Sequence, residues 1–224
     1  KEADRNHYGE LVAFDRSVGA LRKGLRDLGV ADNTLVWYCS DNGGLPNIDP
    51  ATTGRLRGFK GSVYEGGLRV PGIIEWPAVI KPRTSNYPAS TMDIFPTLAD
   101  LLGLPENALL SPVDGSSLKP LFSADLARRD KPIPFRHNGK GAWLDNTYKL
   151  VASNIERENF ELYDLAADPA EATDLAAKQP DRLAAMKRAF LAWNTSVTAS
   201  VEGKDYPEQR VRVDHPDSRS WSED

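Results

Sequence analysis

The run Thr34-Leu-Val-Trp-Tyr-Cys39, followed at once by Ser40-Asp-Asn-Gly-Gly44, decides the fold class of this sequence. The first run is apolar, aromatic or β-branched at both alternating sets of positions. That pattern is typical of a strand covered on both faces, as in a parallel sheet between layers of helices. Apolar residues recur at spacings of three and four from Leu11 to Leu28, which predicts a preceding amphipathic helix that Gly29 can end. A helix, a short loop and a buried strand form one αβ unit, so the sequence predicts an α/β layered domain.

Two further elements follow the strand in this first part of the chain. A polar loop rich in glycine and arginine runs from residue 40 to about residue 69. The segment Gly72–Trp76 lies between two prolines and predicts a second short strand. Apolar residues in the segment 94–102 predict a helix that Gly103 can end.

The period of the sequence changes beyond the polar and charged segment 123–131. A hairpin is predicted around Asp145-Asn146, which are residues typical of a tight turn, and a short strand follows at 160–163. Pro180 is well placed to begin an amphipathic helix. These elements predict an antiparallel sheet with one packed helix.

The sequence therefore predicts three parts. Residues 1–125 form an α/β domain, and residues 126–200 form a small α+β subdomain with an antiparallel sheet and one helix. Residues 201–224 form a polar tail that shows no hydrophobic period.

The composition excludes some classes of partner. The 224 residues are 40% hydrophobic and 27% charged, and the formal net charge is −4. A charge so close to neutral does not create the field that draws proteins to nucleic acid or anionic membranes, so neither partner is expected.

The single cysteine, Cys39, excludes an internal disulfide. The first residues show no signal-peptide pattern and enter a helix at once, so we expect a chain cut from a longer protein.

Asp41 and Asn42 are candidate metal ligands because they leave the end of the buried strand. Ligands of open α/β sheets gather outside the carboxyl ends of the strands. A carboxylate beside an amide offers the hard oxygen atoms that Ca²⁺ and Mg²⁺ prefer. The alternative interpretation is a simple turn after a strand.

Lys60 is a candidate anion-binding residue. It lies next to Gly61 in a glycine-rich segment that also carries Arg55 and Arg57, so its ammonium group can reach an anion with little obstruction. The alternative is a basic loop exposed to solvent. Glu65 and Arg69, four residues apart, are expected to pair and brace this loop.

These two segments carry a resemblance to a known family. The run Thr34–Gly43 resembles the second metal-binding segment of type I, formylglycine-dependent sulfatases of the alkaline phosphatase superfamily. The segment Leu56–Pro71 resembles the family's lysine segment, with its Lys-Gly-Ser and Glu-Gly-Gly-x-Arg-x-Pro elements. Shorter matches occur in the same order at Tyr8, Asp15–Gly19, Asp93–Leu98, Asp114-Gly115, Leu162–Leu165, Asp168-Pro169 and Glu171.

The resemblance implies a fold and a site. The fold would be the C-terminal part of an alkaline-phosphatase-like sandwich with a mainly parallel sheet, followed by the α+β subdomain. Asp41 and Asn42 would be calcium ligands, and Lys60 would bind the sulfate oxygens and act in catalysis. His137 would enter the C-terminal sheet near the cleft, where a structural role is favoured over a substrate contact.

The family's nucleophile is a formylglycine made from the cysteine of a Cys-x-Pro-x-Arg segment, and this sequence contains no such segment. Cys39 is followed by Ser-Asp-Asn, so we interpret it as a core residue. The resemblance therefore implies that the nucleophile and the remaining calcium ligands come from a missing N-terminal half. The intact enzyme would hydrolyse sulfate monoesters of small molecules or carbohydrates, whereas this chain alone would be inactive.

Two rival functions remain. One is a phosphoester hydrolase or phosphotransferase of the same superfamily; those relatives tend to carry Asp-His at the position of Asp41-Asn42 and lack the segment of Lys60. The other is a non-catalytic interaction module. Without its N-terminal half, the sheet would expose an edge that favours self-association. The resemblance also implies a periplasmic, secreted or lysosomal location.

Overall fold

The structure is a computed structural model that describes residues 1–109 and 111–206. The described part contains four α-helices and six strands, with single turns of 3₁₀ helix between them. In chain order these elements are α1 (Glu2–Asp27), β1 (Val36–Cys39), α2 (Glu65–Leu68), β2 (Gly72–Glu75), α3 (Ile94–Leu101), β3 (Ile133–His137), β4 (Lys140–Asp145), β5 (Tyr148–Asn154), β6 (Asn159–Asp164) and α4 (Pro180–Val201).

Helix α1 confirms the amphipathic helix that the sequence predicts. It ends as expected at Gly29, whose φ of +69° lies in the left-handed region. The amide of Gly29 donates to Arg26 O at 3.0 Å, and the amide of Val30 donates to Leu25 O at 3.0 Å. No helix in the described ranges is long and apolar enough to cross a membrane.

Strands β1 and β2 form a two-stranded antiparallel sheet, in register from Val36 opposite Glu75 to Cys39 opposite Gly72. The expectation of a mainly parallel sheet is therefore corrected for the strands that the structure describes. All four residues of β1 are half-buried, so Cys39 is not the core residue that we expected. The apolar run of β1 indicates that the strand is shielded from solvent. It carries no information about whether the partner strand runs parallel or antiparallel.

Helix α1 covers this sheet through two contacts. The rings of Phe14 and Tyr38 lie 5.5 Å apart between their centroids. Arg22 donates to both carboxylate oxygens of Glu75 on β2, each at 2.8 Å. The αβ unit predicted from the sequence is therefore present. Self-association through the sheet edge stays a prediction.

The C-terminal subdomain is a four-stranded antiparallel sheet in the order β3-β4-β5-β6. Its predicted hairpin is confirmed, because Asn146 takes a positive φ of 55° in the turn between β4 and β5. Helix α4 begins at Pro180, as expected, and packs on one face of the sheet. The core on that face contains Leu150, Ala152, Leu162, Met186 and Phe190.

The opposite face of the sheet is covered by the segment 56–71, which we call the lysine segment. Val63 is 1% exposed and packs with Ala142, Val151 and Tyr163. Because side chains of a strand alternate between faces, Val151 points away from the α4 side to which Leu150 belongs. The small sheet is thus held between α4 and the lysine segment.

The polar segment 123–131, which we predicted as a boundary, contains a buried ion pair. Arg129 NH2 and NH1 lie 2.6 and 2.8 Å from the two carboxylate oxygens of Asp93, and the side chains are 1% and 0% exposed. The amides of Ser90 and Ser116 also donate to Asp93, each at 2.8 Å. This pair links the first part of the chain to the start of the subdomain. The division at residue 125 stays a prediction, and residues 207–224 of the proposed tail lie outside the described residues.

We expect Asp93→Asn to lower the free energy of unfolding by about 3–5 kcal/mol, because it leaves the buried guanidinium of Arg129 without its countercharge. Urea unfolding of the chain measures this. Lys23→Gln is the control: it breaks an exposed pair with Asp27, for which about 0–1 kcal/mol is expected. Similar losses for the two variants would contradict the assignment of Asp93–Arg129 as a structural link.

Candidate functional site

The loop after β1 places the two candidate metal ligands in different surroundings. Asp41 is exposed, whereas Asn42 is half-buried. The hydroxyl of Ser40 donates to the carbonyl of Asn42 at 3.0 Å and fixes the turn. The side-chain oxygen Oδ1 of Asn42 is buried and has no hydrogen-bond partner within the described residues. A buried acceptor without a donor costs about 1–3 kcal/mol, so this oxygen is suited to a ligand.

A junction of glycines brings this loop against the lysine segment. The amide of Gly43 donates to Gly67 O at 2.9 Å, and the amide of Gly66 donates to Arg57 O at 2.7 Å. A Cβ atom on Gly43 would lie 1.9 Å from Gly66 O. The two backbones approach so closely that only glycine fits at this position. We call Gly43, Gly44, Gly66 and Gly67 the glycine junction.

Lys60 is tied to the same junction. Its amide donates to Gly44 O at 2.9 Å, and its side chain is exposed. The residue that follows, Gly61, has a φ of +88° and no atom within 4 Å of a Cβ position. The structure thus joins the backbone of Lys60 to the loop of Asp41 and Asn42, and the roles of these three residues in a site stay predictions.

Asp41 and Asn42 fit part of a calcium site. Their carboxylate and amide oxygens are hard ligands, but Ca²⁺ takes about 6–8 oxygens. Within residues 1–109 and 111–206, no group of three or more His, Cys, Asp or Glu side chains is placed to hold a metal ion. These two residues can therefore supply only a portion of the coordination shell.

Arg57 lies in the segment for which a solvent-exposed basic loop was the alternative interpretation; its side chain is 43% exposed but contacts the C-terminal sheet. Its guanidinium lies 3.8 Å from the ring centroid of Tyr64, and NH1 donates to Tyr163 Oη at 2.7 Å. Tyr64 in turn donates to a carboxylate oxygen of Glu161 at 2.8 Å. Burial and this bond to Glu161 raise the pKa of Tyr64 to about 12. The lysine segment is therefore anchored to the sheet by side chains on both sides of Lys60.

Glu65 corrects the expectation that it pairs with Arg69. It pairs with Lys149 of β5 rather than with Arg69: Lys149 Nζ donates to Glu65 Oε1 at 2.8 Å. Nζ also lies 2.9 Å from Glu171 Oε1, although without hydrogen-bond alignment. The amide of Glu65 donates to Glu171 Oε2 at 2.6 Å. We call Glu65, Lys149 and Glu171 the buried triad.

Burial dominates the electrostatics of this triad. The side chains of Lys149 and Glu171 are 0% exposed, and that of Glu65 is 10% exposed. Two carboxylates share one ammonium group. Burial raises the pKa of Glu171, and the nearby Lys149 opposes that shift. Sequence reasoning missed this triad, although a lysine inside the apolar strand Thr147–Ala152 was a signal of a buried partner.

His137 is exposed at the end of β3. Its Nε2 lies 3.1 Å from Asn138 Nδ2, within its own hairpin turn. No hydrogen bond in the described part of the chain joins it to Lys60 or Asn42. A substrate contact by His137 stays a prediction that the structure does not test.

Comparison with known proteins agrees with this arrangement. Residues 1–104 match the family model described as Sulfatase. Residues 59–190, more than half of the chain, match the model described as N-sulphoglucosamine sulphohydrolase, C-terminal. The fold is therefore that of the C-terminal portion of a sulfatase, of α/β type. The chain belongs to the sulfatase family of the alkaline phosphatase superfamily.

Individual relatives give the same result. A "Sulfatase" of Formosa agariphila is 32% identical over 213 residues, covering 81% of this chain and 36% of the relative. An "N-acetylgalactosamine-6-O-sulfatase" of Bacteroides thetaiotaomicron is 31% identical over 201 residues, covering 76% and 38%. The crystal structure of Ps i-CgsB in complex with k-i-k-neocarrahexaose is 30% identical, with a TM-score of 0.73, covering 86% of this chain and 43% of that one. The chain thus spans less than half the length of these proteins.

We expect Gly43→Ala to open the glycine junction, because its Cβ would collide with Gly66 O. The backbone amide at position 43 should exchange at least about tenfold faster than in the wild type, since local opening exposes its hydrogen bond to water. Gly9→Ala is the control: its Cβ meets no atom within 4 Å in α1, and a gain of about 0.5–1 kcal/mol is expected there. Unchanged exchange at residue 43 in Gly43→Ala would show that the junction is not tight.

Proposed function

We propose that this chain forms part of the active site of a sulfatase that hydrolyses sulfate monoesters. The observation that carries this proposal is the glycine junction, which joins the Asp41-Asn42 loop to the backbone of Lys60 in a chain that belongs to the sulfatase family. A hard-oxygen pair beside an ammonium group can hold a cation and an oxyanion together. In the proposed site, the cation and the ammonium group would both act on the sulfate oxygens.

Lys60 would stabilise negative charge on the sulfate oxygens. Its ammonium is a compact point charge on a flexible stem, and its exposure leaves it free to reach a bound anion. Charge stabilisation that is already in position acts on the transition state without further reorganisation. Lys60 would therefore bind substrate and contribute to catalysis.

Asp41 and Asn42 would hold part of a calcium site. The buried Oδ1 of Asn42, which lacks a hydrogen-bond donor among the described residues, fits a cation ligand. Calcium bound there would polarise the sulfate group. The other ligands and the formylglycine nucleophile would come from sequence that corresponds to the remaining length of the relatives, since the chain covers only 36% of one and 38% of another.

The substrate class that we propose is a sulfated carbohydrate or another sulfated small molecule. One relative is named as an N-acetylgalactosamine-6-O-sulfatase, and one similar structure was determined with a neocarrahexaose. Both names support a carbohydrate. The role of His137 as a substrate contact is part of the same proposal.

In the intact protein, we expect Lys60→Met to lower kcat for 4-nitrophenyl sulfate by about 10²–10³. This is the usual effect of removing one group that stabilises the negative charge of the transition state. Lys81→Met is the control, because Lys81 is also exposed but lies in the loop after β2. The activity of this variant should equal that of the wild type. Faster hydrolysis of 4-nitrophenyl phosphate than of the sulfate would favour the phosphoester rival. Equal activity of the two variants would contradict the role of Lys60.

The purified 224-residue chain should not hydrolyse 4-nitrophenyl sulfate above the buffer rate, because it lacks the Cys-x-Pro-x-Arg segment. It should also bind calcium more weakly than micromolar, because two protein ligands leave most of the ~6–8 positions to water. Initial rates and calorimetry measure these two quantities. Hydrolysis above background, or micromolar calcium affinity, would contradict the division of the site.

A further inference from the structure

Three charged residues that the proposed chemistry does not use meet beneath the glycine junction. They are the buried triad of Glu65, Lys149 and Glu171, which are 7%, 0% and 1% exposed as whole residues. Lys149 belongs to β5, an inner strand that is paired with β4 on one side and β6 on the other. Its ammonium group is therefore carried by a rigid element.

The triad is connected to the site in a few covalent and hydrogen-bonded steps. Glu65 is the first residue of α2 and is followed directly by Gly66 and Gly67. Gly67 O accepts the amide of Gly43, one residue after Asn42. On the other side of the junction, Gly44 O accepts the amide of Lys60. A shift of Glu65 would therefore move the surface on which both candidate segments rest.

The chemistry of the triad suits positioning better than stabilisation. Taking three charges out of water is unfavourable, and well-packed apolar residues often stabilise a fold as well as a buried ion pair does. What the charges add is direction, because the ammonium of Lys149 and the carboxylate of Glu171 hold one side chain and one amide of Glu65 at 2.8 and 2.6 Å. Apolar contacts are non-directional and would constrain the position of α2 less.

We propose that Lys149 and Glu171 are positioning residues of the site: they fix Glu65, and thereby the glycine junction that presents Lys60 and Asn42. As a statement about catalysis, this rests on the proposed sulfatase function. As a statement about the junction, it stands on the contacts alone. The C-terminal sheet then supports the site directly, and its loss would disorder the lysine segment.

Hydrogen exchange of the chain tests the structural half. In Glu171→Gln and in Lys149→Met, the amides of Gly43 and Lys60 should exchange at least about tenfold faster than in the wild type, while amides of the β5–β6 pair change less. Met186→Ala is the control, since Met186 is 6% exposed and packs on the other face of the same sheet. It should speed exchange in the sheet without a selective effect on the junction.

Kinetics of the intact protein test the catalytic half. Displacing a positioned group by about 1 Å can cost about 10²-fold in rate, so Glu171→Gln should lower kcat by about 10- to 100-fold. Met186→Ala should leave kcat of the folded fraction unchanged. A merely structural triad would lower the amount of folded enzyme but not kcat per folded molecule.

The outcomes separate the two proposals. Unchanged exchange at Gly43 and Lys60 in Glu171→Gln overturns the positioning role, whether or not the intact protein is a sulfatase. Selective exchange at those amides in an intact protein that cleaves no sulfate ester supports the junction and overturns the sulfatase function. If Lys149→Met does not fold, the isosteric Glu171→Gln decides alone.

Discussion

The contact of one buried ammonium group with two carboxylates is the interaction on which the rest of this structure depends. Lys149 reaches Glu65 at 2.8 Å and Glu171 at 2.9 Å, where the ammonium and Glu171 are fully hidden from water. The contact crosses the layer between the C-terminal sheet and the lysine segment. Removing the ammonium would leave two carboxylates in an apolar layer, which would weaken the contact between the sheet and the lysine segment.

Next to this layer, the backbone of the loop after β1 approaches the backbone of the lysine segment at the glycine junction. Because glycine has no Cβ, Gly43 can approach Gly66 to a distance that any side chain would prevent. Hydrogen bonds between main-chain groups then fix Lys60 and the Asp41-Asn42 loop relative to each other. Hydrogen bonds between main-chain groups do not require a long side chain to lose rotamer freedom. The candidate site therefore gains its order from its backbone, while the charged side chains stay free to meet a ligand.

Local patterns in the sequence predicted the individual helices and strands, but they did not predict the contacts between residues far apart in the chain. The spacing of apolar residues gives α1, and Gly29 gives its end, because both depend on neighbours within one helix. The direction of β1 depends on β2, and the run of residues in β1 does not encode it. Glu65 was paired with Arg69 because an (i, i+4) pair is visible in sequence, but α2 has only four residues and the true partner is far along the chain. The lysine in the apolar strand β5 was the one local sign of such a partner.

The same contacts change how the C-terminal subdomain should be regarded. Besides the packing of Val63, the lysine segment makes polar contacts with the sheet through Arg57, Tyr64 and Glu65, which lie on both sides of Lys60. A flexible ammonium group acts well on a transition state only if its backbone is already in position, since it would otherwise spend binding energy on its own ordering. The subdomain therefore holds the lysine segment on both sides of Lys60, because Arg57, Tyr64 and Glu65 make their contacts with residues of the sheet.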